Sequence, residues 1–197
     1  MTTTQDGSGR LAEAAIAVSG LLRAFDIDEG AHTADTPLRV AKAWAHLLAG
    51  YEEDPADHLS RTFPAPDTPG PVIVSGIRLA SVCAHHLLPF TGSATVAYQP
   101  VAGSAIVGLS KLSRVVRGYA RRLQVQERLG SQVADAVTDR LASEWVCVVI
   151  TAEHQCMSLR GIEDPGTATT TRTVRGAPDG PTLELVLAAH RDATRSR

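Results

Sequence analysis

Two short segments of this chain, about seventy residues apart, most restrict how it can fold. One is Cys83-Ala84-His85-His86 and the other is His154-Gln155-Cys156. If the fold brings them into contact, two thiols and three imidazoles come within reach of a single metal ion. Zn²⁺ binds thiolates and imidazoles, and a catalytic zinc site usually has three protein ligands and one position left for water. These residue types therefore favour an open metal site with Cys83, His86 and Cys156 as its ligands.

The spacing of these residues is weaker support than their type. A structural zinc module normally has a second local pair of ligands, whereas the second segment offers one cysteine and a histidine two residues before it. This asymmetry favours an open site. If residues 151–157 form a strand, His154 and Cys156 lie on the same face, where one can bind the metal while the other acts as acid or base. From these residues alone, buried cysteines and scattered histidines of an ordinary core remain the alternative.

Length and composition indicate one globular domain, or one domain with an arm. The chain has 197 residues, 44% of them hydrophobic, and a net charge of −2, without the basic excess that marks nucleic-acid binding. The N-terminus lacks the features of a signal peptide, and no apolar run approaches the length of a membrane span. Three cysteines fit metal binding or core packing better than a disulfide framework, and Cys147 is most simply a core strand residue. We therefore expect a cytoplasmic protein without a nucleic-acid or membrane partner.

The order of predicted elements is that of an α+β fold, with a pair of helices that should pack on a sheet. Thr36 is the predicted N-cap of the second helix, Pro37 its first turn and Gly50 its end. The predicted helices cover residues 11–25, 36–49, 110–123 and 126–141, and a further helix ends the chain. The predicted strands cover residues 72–77, 91–98, 145–152, 156–162 and 167–174, and residues 53–71 are expected to form a loop.

Five motifs occur along the chain in an order that can be compared with known families. They are Thr36-Pro37-x-Arg39-Val40-Ala41-Lys42, Cys83-x-His85-His86-Leu-Leu-Pro-Phe90, Gly108-Leu-Ser110-Lys111-Leu-x-Arg114, Gln124-Val-Gln126-Glu127-Arg128-Leu129 and His154-x-Cys156-Met157-x-x-Arg160-Gly161. In this order they resemble the GTP cyclohydrolase I family, over roughly residues 12 to 176. The resemblance implies an enzyme that converts GTP to 7,8-dihydroneopterin triphosphate and formate.

The resemblance implies roles for the residues of the metal site. Cys83, His86 and Cys156 resemble the family's zinc ligands, and Zn²⁺ would generate the hydroxide that attacks C8 of guanine. His85 and His154 resemble its proton-transfer residues, which suits imidazoles because they titrate near working pH. The alternative for His85 is a histidine that only supports the site or lies at the surface.

The resemblance also implies how the nucleotide binds. Glu127 would accept two hydrogen bonds from the N1–H and N2–H₂ edge of guanine, which adenine cannot supply, and Gln126 would support the purine from beside it. The residues that resemble the family's phosphate contacts are Arg39, Ser110, Lys111, Arg114 and Arg160. Taken singly, each of these cations has the alternative of a solvated helix face.

An architecture is implied in the same way. Members of the family have the tunnelling fold (T-fold), in which each subunit gives an antiparallel sheet with two helices packed on it, and the subunits close an oligomeric barrel. The family state is a homodecamer of two pentamers, with active sites at subunit interfaces. We expect an N-terminal arm and helices in residues 1–60 and the T-fold catalytic domain in residues 61–197.

The chain departs from the family pattern at three places. Ala84 stands where the family usually has Glu, Ser75-Gly76 where it has Lys-Asp, and Thr182-Leu-Glu-Leu185 only partly matches an Arg-x-Glu-Phe signature. Loss of a carboxylate beside the ligands could change metal affinity, rate or substrate choice. The alternatives are therefore a specialised paralogue that acts on another purine nucleotide or stops at the formamidopyrimidine, and a catalytically silent nucleotide-binding homologue.

Overall fold

The structure is a computed structural model that describes residues 6–27 and 30–195. Residues 1–5, on which the prediction about a signal peptide rests, lie outside the described part. The chain divides into two compact units, Met1–Ala49 and Gly50–Arg197. The first holds helices α1 (Asp6–Ala24) and α2 (Thr36–Leu47), which pack against each other. Within the described ranges, no helix combines the length and the hydropathy needed to cross a bilayer.

The second unit is built around a five-stranded sheet with helices on both faces. Its helices are α3 (Leu109–Ala120), α4 (Gln126–Arg140), the short α5 (Gln155–Ser158) and α6 (Gly180–Arg195). Its strands are β1 (Thr62–Pro64), β2 (Val72–Cys83), β3 (Pro89–Pro100), β4 (Ala105–Val107), β5 (Leu123–Gln124), β6 (Ser143–His154) and β7 (Ala168–Gly176). Single 3₁₀ turns occur at Ala49–Tyr51 and Pro55–Leu59. The predicted α+β class, with N-terminal helices and a helix pair on a sheet, is confirmed.

The sheet has the order β5-β2-β3-β6-β7 and is antiparallel except at one edge, where β5 pairs in parallel with β2. β1 and β4 form a separate two-stranded pair. Side chains on one face of the large sheet, such as Val148, belong to the same main core as Leu112 of α3 and Leu129 of α4. On the opposite face, Cys147 and Val186 of α6 belong to a smaller apolar cluster. Alternation along each strand therefore supplies two separate cores from one sheet.

A β-bulge explains why the strand predicted at residues 72–77 is too short. The pairing of β2 with β3 shifts between Val74 and Ile77, where Gly76 has a φ of 70°. A bulge interrupts the alternation of side chains, after which the strand resumes. β2 therefore continues to Cys83, which is the last residue of a strand instead of part of a connection.

The strand predicted at residues 156–162 is wrong. β6 ends at His154, and the chain then forms α5 and a turn in which Gly161 has a φ of 71°. Apart from Ile162, this segment has none of the β-branched side chains that favour a strand. His154 and Cys156 consequently do not lie on one strand face, which corrects the prediction for residues 151–157.

The ends of α2 also differ from their prediction. Asp35, not Thr36, is the N-cap, although Pro37 does lie in the first turn, and the helix ends at Leu47. Gly50 instead lies in a 3₁₀ turn, where an added Cβ would stand 2.0 Å from the carbonyl oxygen of Gly118. This close approach of two backbone segments requires glycine. The predicted loop over 53–71 also contains a 3₁₀ turn and β1.

A buried histidine links α6 to the sheet. His190 is 4% exposed, with Nδ1 2.9 Å from Oγ1 of Thr95 and Nε2 2.9 Å from Oγ1 of Thr151. A neutral imidazole donates from one nitrogen and accepts at the other, so both hydroxyl contacts can be hydrogen bonds. Burial lowers the pKa of His190 because it disfavours the charged ring. Burial therefore favours the neutral form of this histidine in the folded protein.

We expect the substitution His190→Gln to reduce the loss of stability on acidification. Below the ordinary histidine pKa, the unfolded wild-type chain binds a proton at this position before the folded protein does. The free energy of unfolding then falls as pH falls, until the lowered pKa of the folded state is passed. Urea unfolding at about pH 7.5 and about pH 5.5, on either side of the ordinary histidine pKa, measures the difference. An equal loss of stability in both proteins would contradict the assignment.

Candidate active site and metal centre

The candidate site lies at the end of the sheet where β2 and β6 finish. β3 begins there, and its register pairs Phe90 with Ser81 of β2 and with His154 of β6. On the other side of β2, Cys83 pairs with Gln124 of β5. Strand pairing thus brings together two segments that are far apart in sequence.

A tight turn after β2 presents the first two candidate metal ligands. The N–H of Cys83 donates to the carbonyl of Leu88 (2.8 Å), and the N–H of Leu87 donates to the carbonyl of Cys83 (2.9 Å). The N–H of Ala84 donates to the carbonyl of Gln124 (2.9 Å), which ties the turn to β5. Leu87 takes a φ of 56° to close the turn. As a result, Sγ of Cys83 lies 3.7 Å from Nδ1 of His86.

The third candidate ligand comes from α5. Among the described residues, Cys83, His86 and Cys156 form a group whose donor atoms all lie within 4.8 Å of one another. Tetrahedral bonds to Zn²⁺ from thiolate and imidazole would place these donors about 3.5–3.8 Å apart. The separation of 3.7 Å between Sγ of Cys83 and Nδ1 of His86 already has this value, and the two sulfurs and one nitrogen are the donor types of a zinc site with one open coordination position.

The charges around Cys156 bear on how it would bind a metal. Burial raises the pKa of the Cys156 thiol, and the neighbouring Cys83 raises it further, whereas Arg160 lowers it. Arg160, four residues after Cys156, is thus a cation whose charge favours the thiolate. Because a cysteine binds metal as thiolate, metal binding here must displace a proton.

His154 is held beside the donor group by two different contacts. Its ring stacks on Phe90, with centroids 4.6 Å apart and planes at 9°. Its Nε2 lies 2.8 Å from Oε1 of Gln126. Burial lowers the pKa of His154, and the negative charge of Glu127 opposes this shift. Glu127 itself is exposed in the first turn of α4.

Residues 84–88, between β2 and β3, form the turn that we call the ligand turn. His85 lies in this turn with its side chain exposed. Its ring meets that of His86 edge to face, with centroids 6.1 Å apart. Besides His85, seven predicted site residues lie at this end of the sheet. They are Cys83, His86, Gln126, Glu127, His154, Cys156 and Arg160.

The predicted phosphate contacts of α3 lie elsewhere. The N–H of Val107, just before α3, lies 3.5 Å from Oη of Tyr98, eight residues along β3 from Phe90. At about 3.3 Å per residue, this separates the start of α3 from the donor group by roughly 25 Å. A single chain consequently places the start of α3 far from the metal ligands, and the three predicted phosphate contacts on this helix begin there, with Arg114 about one turn further along than Lys111. These contacts are Ser110, Lys111 and Arg114.

Arg39 belongs to the first unit, on α2. Its guanidinium pairs with Asp35 at 3.1 Å, and both side chains are 75% exposed. An ion pair this exposed contributes little to stability, so Arg39 is available for another anion at small cost.

Two features of the site escape prediction from sequence. Phe90 is part of a quoted motif, but its stacking on His154 depends on the register between distant strands. Gln124 is buried, donates to the carbonyl of Tyr119 and to Gln132, and accepts from Nε of Arg128. It thus stabilises the strand that anchors the ligand turn. Gln124 begins another of the five motifs, but its role depends on the pairing of β5 with β2.

The chain can be compared with known families and proteins. A sequence model of GTP cyclohydrolase I matches residues 14–187. GTP cyclohydrolase 1 of Desulforamulus reducens is 52% identical over 142 residues, which are 72% of this chain and 75% of that protein. The enzyme of that name from Carboxydothermus hydrogenoformans is 51% identical over 142 residues, 72% of this chain and 73% of its own. GTP cyclohydrolase 1 of Thermobifida fusca is 52% identical over 143 residues, 73% and 69% of the two chains.

Among solved structures, the crystal structure of the archaeosine synthase QueF-Like in the apo form superposes with a TM-score of 0.46 and 18% identity. It covers 57% of this chain and 99% of that one. A likeness of this extent does not decide the fold. The sequence matches, in contrast, span most of the chain at about half identity. This chain belongs to the GTP cyclohydrolase I family of enzymes.

Proposed function

We propose that this chain is a zinc-dependent enzyme that opens the guanine imidazole ring of GTP at C8 and yields 7,8-dihydroneopterin triphosphate and formate. The observation that carries the proposal is the convergence of three donor atoms, from Cys83, His86 and Cys156, within 4.8 Å. Membership of the GTP cyclohydrolase I family supplies the class of substrate.

The chemistry of the donors supports zinc as the metal. Two thiolates and an imidazole suit a borderline-soft ion better than Mg²⁺ or Ca²⁺, which prefer oxygen ligands. When bound by these three residues, Zn²⁺ would supply a hydroxide near neutral pH for attack on C8. Three protein ligands leave the coordination position that such a hydroxide needs.

His154 and His85 would carry the protons of the reaction. Burial lowers the pKa of His154, which keeps the ring neutral near pH 7 and able to accept a proton. His85 lies exposed next to His86, where it can reach both solvent and a bound nucleotide. We assign to these two imidazoles the protonation of the ring nitrogen and the proton transfers of ring opening. Release of formate, rearrangement of the ribose and closure of the pterin ring would follow at the same site.

Glu127 would select guanine. It lies exposed in the first turn of α4, where the helix dipole stabilises a negative charge. A carboxylate accepts two hydrogen bonds from the N1–H and N2–H₂ edge of guanine, and adenine does not have this pair of donors. The base would then lie near His154, whose pKa responds to the charge of Glu127. The resemblance also implies that Gln126 supports the purine from beside it, and this contact stays untested.

The triphosphate would bind Arg160 of the same chain and cations from other chains. Because Ser110 and Lys111 lie at the start of α3, at the far end of the sheet, we propose that a neighbouring subunit contributes them together with Arg114, and that Arg39 acts in the same way. The assembly would be the T-fold barrel of the family, a homodecamer of two pentamers. Large exposed apolar side chains of α1, including Ile16 (69% exposed), support burial of this helix pair in an assembly. Cysteines present as free thiols support a cytoplasmic location.

Ala84 favours a second candidate function. It follows a metal ligand directly, and its side chain offers no carboxylate to orient a nearby histidine or arginine. The alternative enzyme would act on another purine nucleotide or stop at the ring-opened formamidopyrimidine. A catalytically silent nucleotide-binding homologue is the remaining possibility, and the presence of both His85 and His154 counts against it.

Titration with Co²⁺ tests the metal ligands, because thiolate ligands to Co²⁺ give charge-transfer absorption. We expect Cys83→Ala and Cys156→Ala each to weaken this absorption and to lower metal affinity by at least about tenfold. Cys147→Ala is the matched control, since Cys147 is a buried thiol on the opposite face of the sheet. Full absorption in both site variants, or its loss in the control alone, would contradict the ligand set.

Incubation of the zinc-loaded protein with GTP tests the reaction. We expect pterin fluorescence and released formate, no product from ATP, and neither signal in Cys156→Ala. Accumulation of a formamidopyrimidine without formate would show the shortened reaction. Absence of any GTP turnover would refute the proposed function and leave another nucleotide or a binding role.

Co-expression of two inactive variants tests whether the site is shared between chains. Lys111→Ala should lose triphosphate binding and Cys83→Ala should lose the metal. Suppose that one chain supplies the metal ligands and a neighbour supplies Lys111. Random mixing of the two variants then gives intact metal ligands together with an intact Lys111 at roughly a quarter of the sites. Co-expressed protein should then regain activity that a mixture of separately purified proteins lacks. Absence of recovery in a correctly assembled oligomer would place both halves on the same chain.

A further inference from the structure

The buried side chain of Gln126 has a fixed orientation. Gln126 is the first residue of α4 and is 1% exposed. Its Nε2 lies 3.0 Å from the carbonyl oxygen of Ile150, 3.0 Å from that of Thr169 and 3.1 Å from Oγ1 of Thr171. Carbonyl oxygens only accept hydrogen bonds, so the NH₂ group must face them. A rotated amide would set its oxygen against two carbonyl oxygens, and Oε1 therefore points the other way.

The orientation of this amide determines which nitrogen of His154 carries a proton. Oε1 of Gln126 lies 2.8 Å from Nε2 of His154. Since Oε1 can only accept, Nε2 must be the donor and carry the hydrogen. A neutral imidazole has one protonated nitrogen, so Nδ1 is left with its lone pair. The stack on Phe90 at the same time fixes the plane of the ring.

We propose that Gln126 is a positioning residue that holds His154 as the Nε2–H tautomer, so that Nδ1 is the nitrogen that exchanges protons with the nucleotide. This inference rests on the proposed function of His154 as a proton-transfer residue. It assigns Gln126 a role through His154, in place of a contact with the purine.

An amide suits this position better than a carboxylate. Gln126 must donate to the carbonyls of Ile150 and Thr169 and accept from His154, and only an amide does both. A carboxylate would leave both carbonyls facing a negative charge in a buried setting, which is costly. Glu127, one residue further along α4, is rotated by about 100° and is exposed instead.

The tautomer can be measured without any turnover. Histidine labelled with ¹⁵N in its ring gives different nitrogen shifts for the two tautomers, and magic-angle-spinning NMR has no size limit for a large oligomer. The signal of His154 is identified by its absence in His154→Asn. We expect zinc-loaded wild-type protein to show a protonated Nε2 and an unprotonated Nδ1. A protonated Nδ1 at His154 would overturn the proposal, whatever the variants do.

Kinetics of Gln126→Met then test the functional consequence. Methionine keeps the length of the side chain but neither fixes the ring nor accepts a strong hydrogen bond. We expect kcat to fall by at least about tenfold, part of the ~10²–10⁴ that a general acid or base contributes. KM for GTP and zinc content should stay within about threefold of wild type, since ground-state binding is unchanged. The His154 signal should shift towards the Nδ1–H tautomer.

Thr171→Val is the matched control. It removes one acceptor from Nε2 of Gln126 and leaves both carbonyl acceptors and the bond to His154 in place. We expect its kcat and tautomer to match those of wild type. A higher KM with unchanged kcat in Gln126→Met would overturn the proposal in favour of a purine contact. If wild type does not turn over GTP, the proposed function fails, while the NMR measurement still decides whether Gln126 fixes the tautomer.

Discussion

The register of β3 between β2 and β6 is the constraint on which the candidate site depends. It sets Phe90 beside both Ser81 and His154, so the ligand turn after β2 and the short helix after β6 start from the same end of the sheet. A slip of one residue would turn His154 to the α6 face, away from α4. The long ladders of β3 with both neighbours, and the two cores they carry, make such a slip costly.

The start of α4 completes this site from the helix side. Gln126 turns inward, where the carbonyls of Ile150 and Thr169 fix its amide, and Glu127 turns outward beside His154. Two adjacent residues thus have different surroundings, since the amide of Gln126 is buried and the side chain of Glu127 is exposed. Because α4 also buries Leu129 in the main core, the position of this first turn is fixed by packing. Apolar packing further along α4 thus fixes where the polar side chains of its first turn lie.

Local patterns predict part of this structure well. Apolar periodicity places both ends of α3 and α4 within about three residues, because each helix buries one face. It fails at β2, where a bulge at Gly76 interrupts the alternation, and at residues 156–162, where α5 replaces a strand. Residue types and spacing name three donors that the fold does bring together. The bond between Gln126 and His154 depends on pairing between β6, β7 and α4, which no local pattern contains.

The placement of the α3 cations limits how the nucleotide can bind. The start of α3 lies roughly 25 Å from the donor group, as the length of β3 between Phe90 and Tyr98 requires. A nucleotide bound at Glu127 would have to cross that distance to reach the first cation of α3 in the same chain. Either these cations do not bind phosphate, or a second copy of the chain brings them to the site. The second arrangement also agrees with the exposure of His86, a candidate ligand, and of Ile16 on α1.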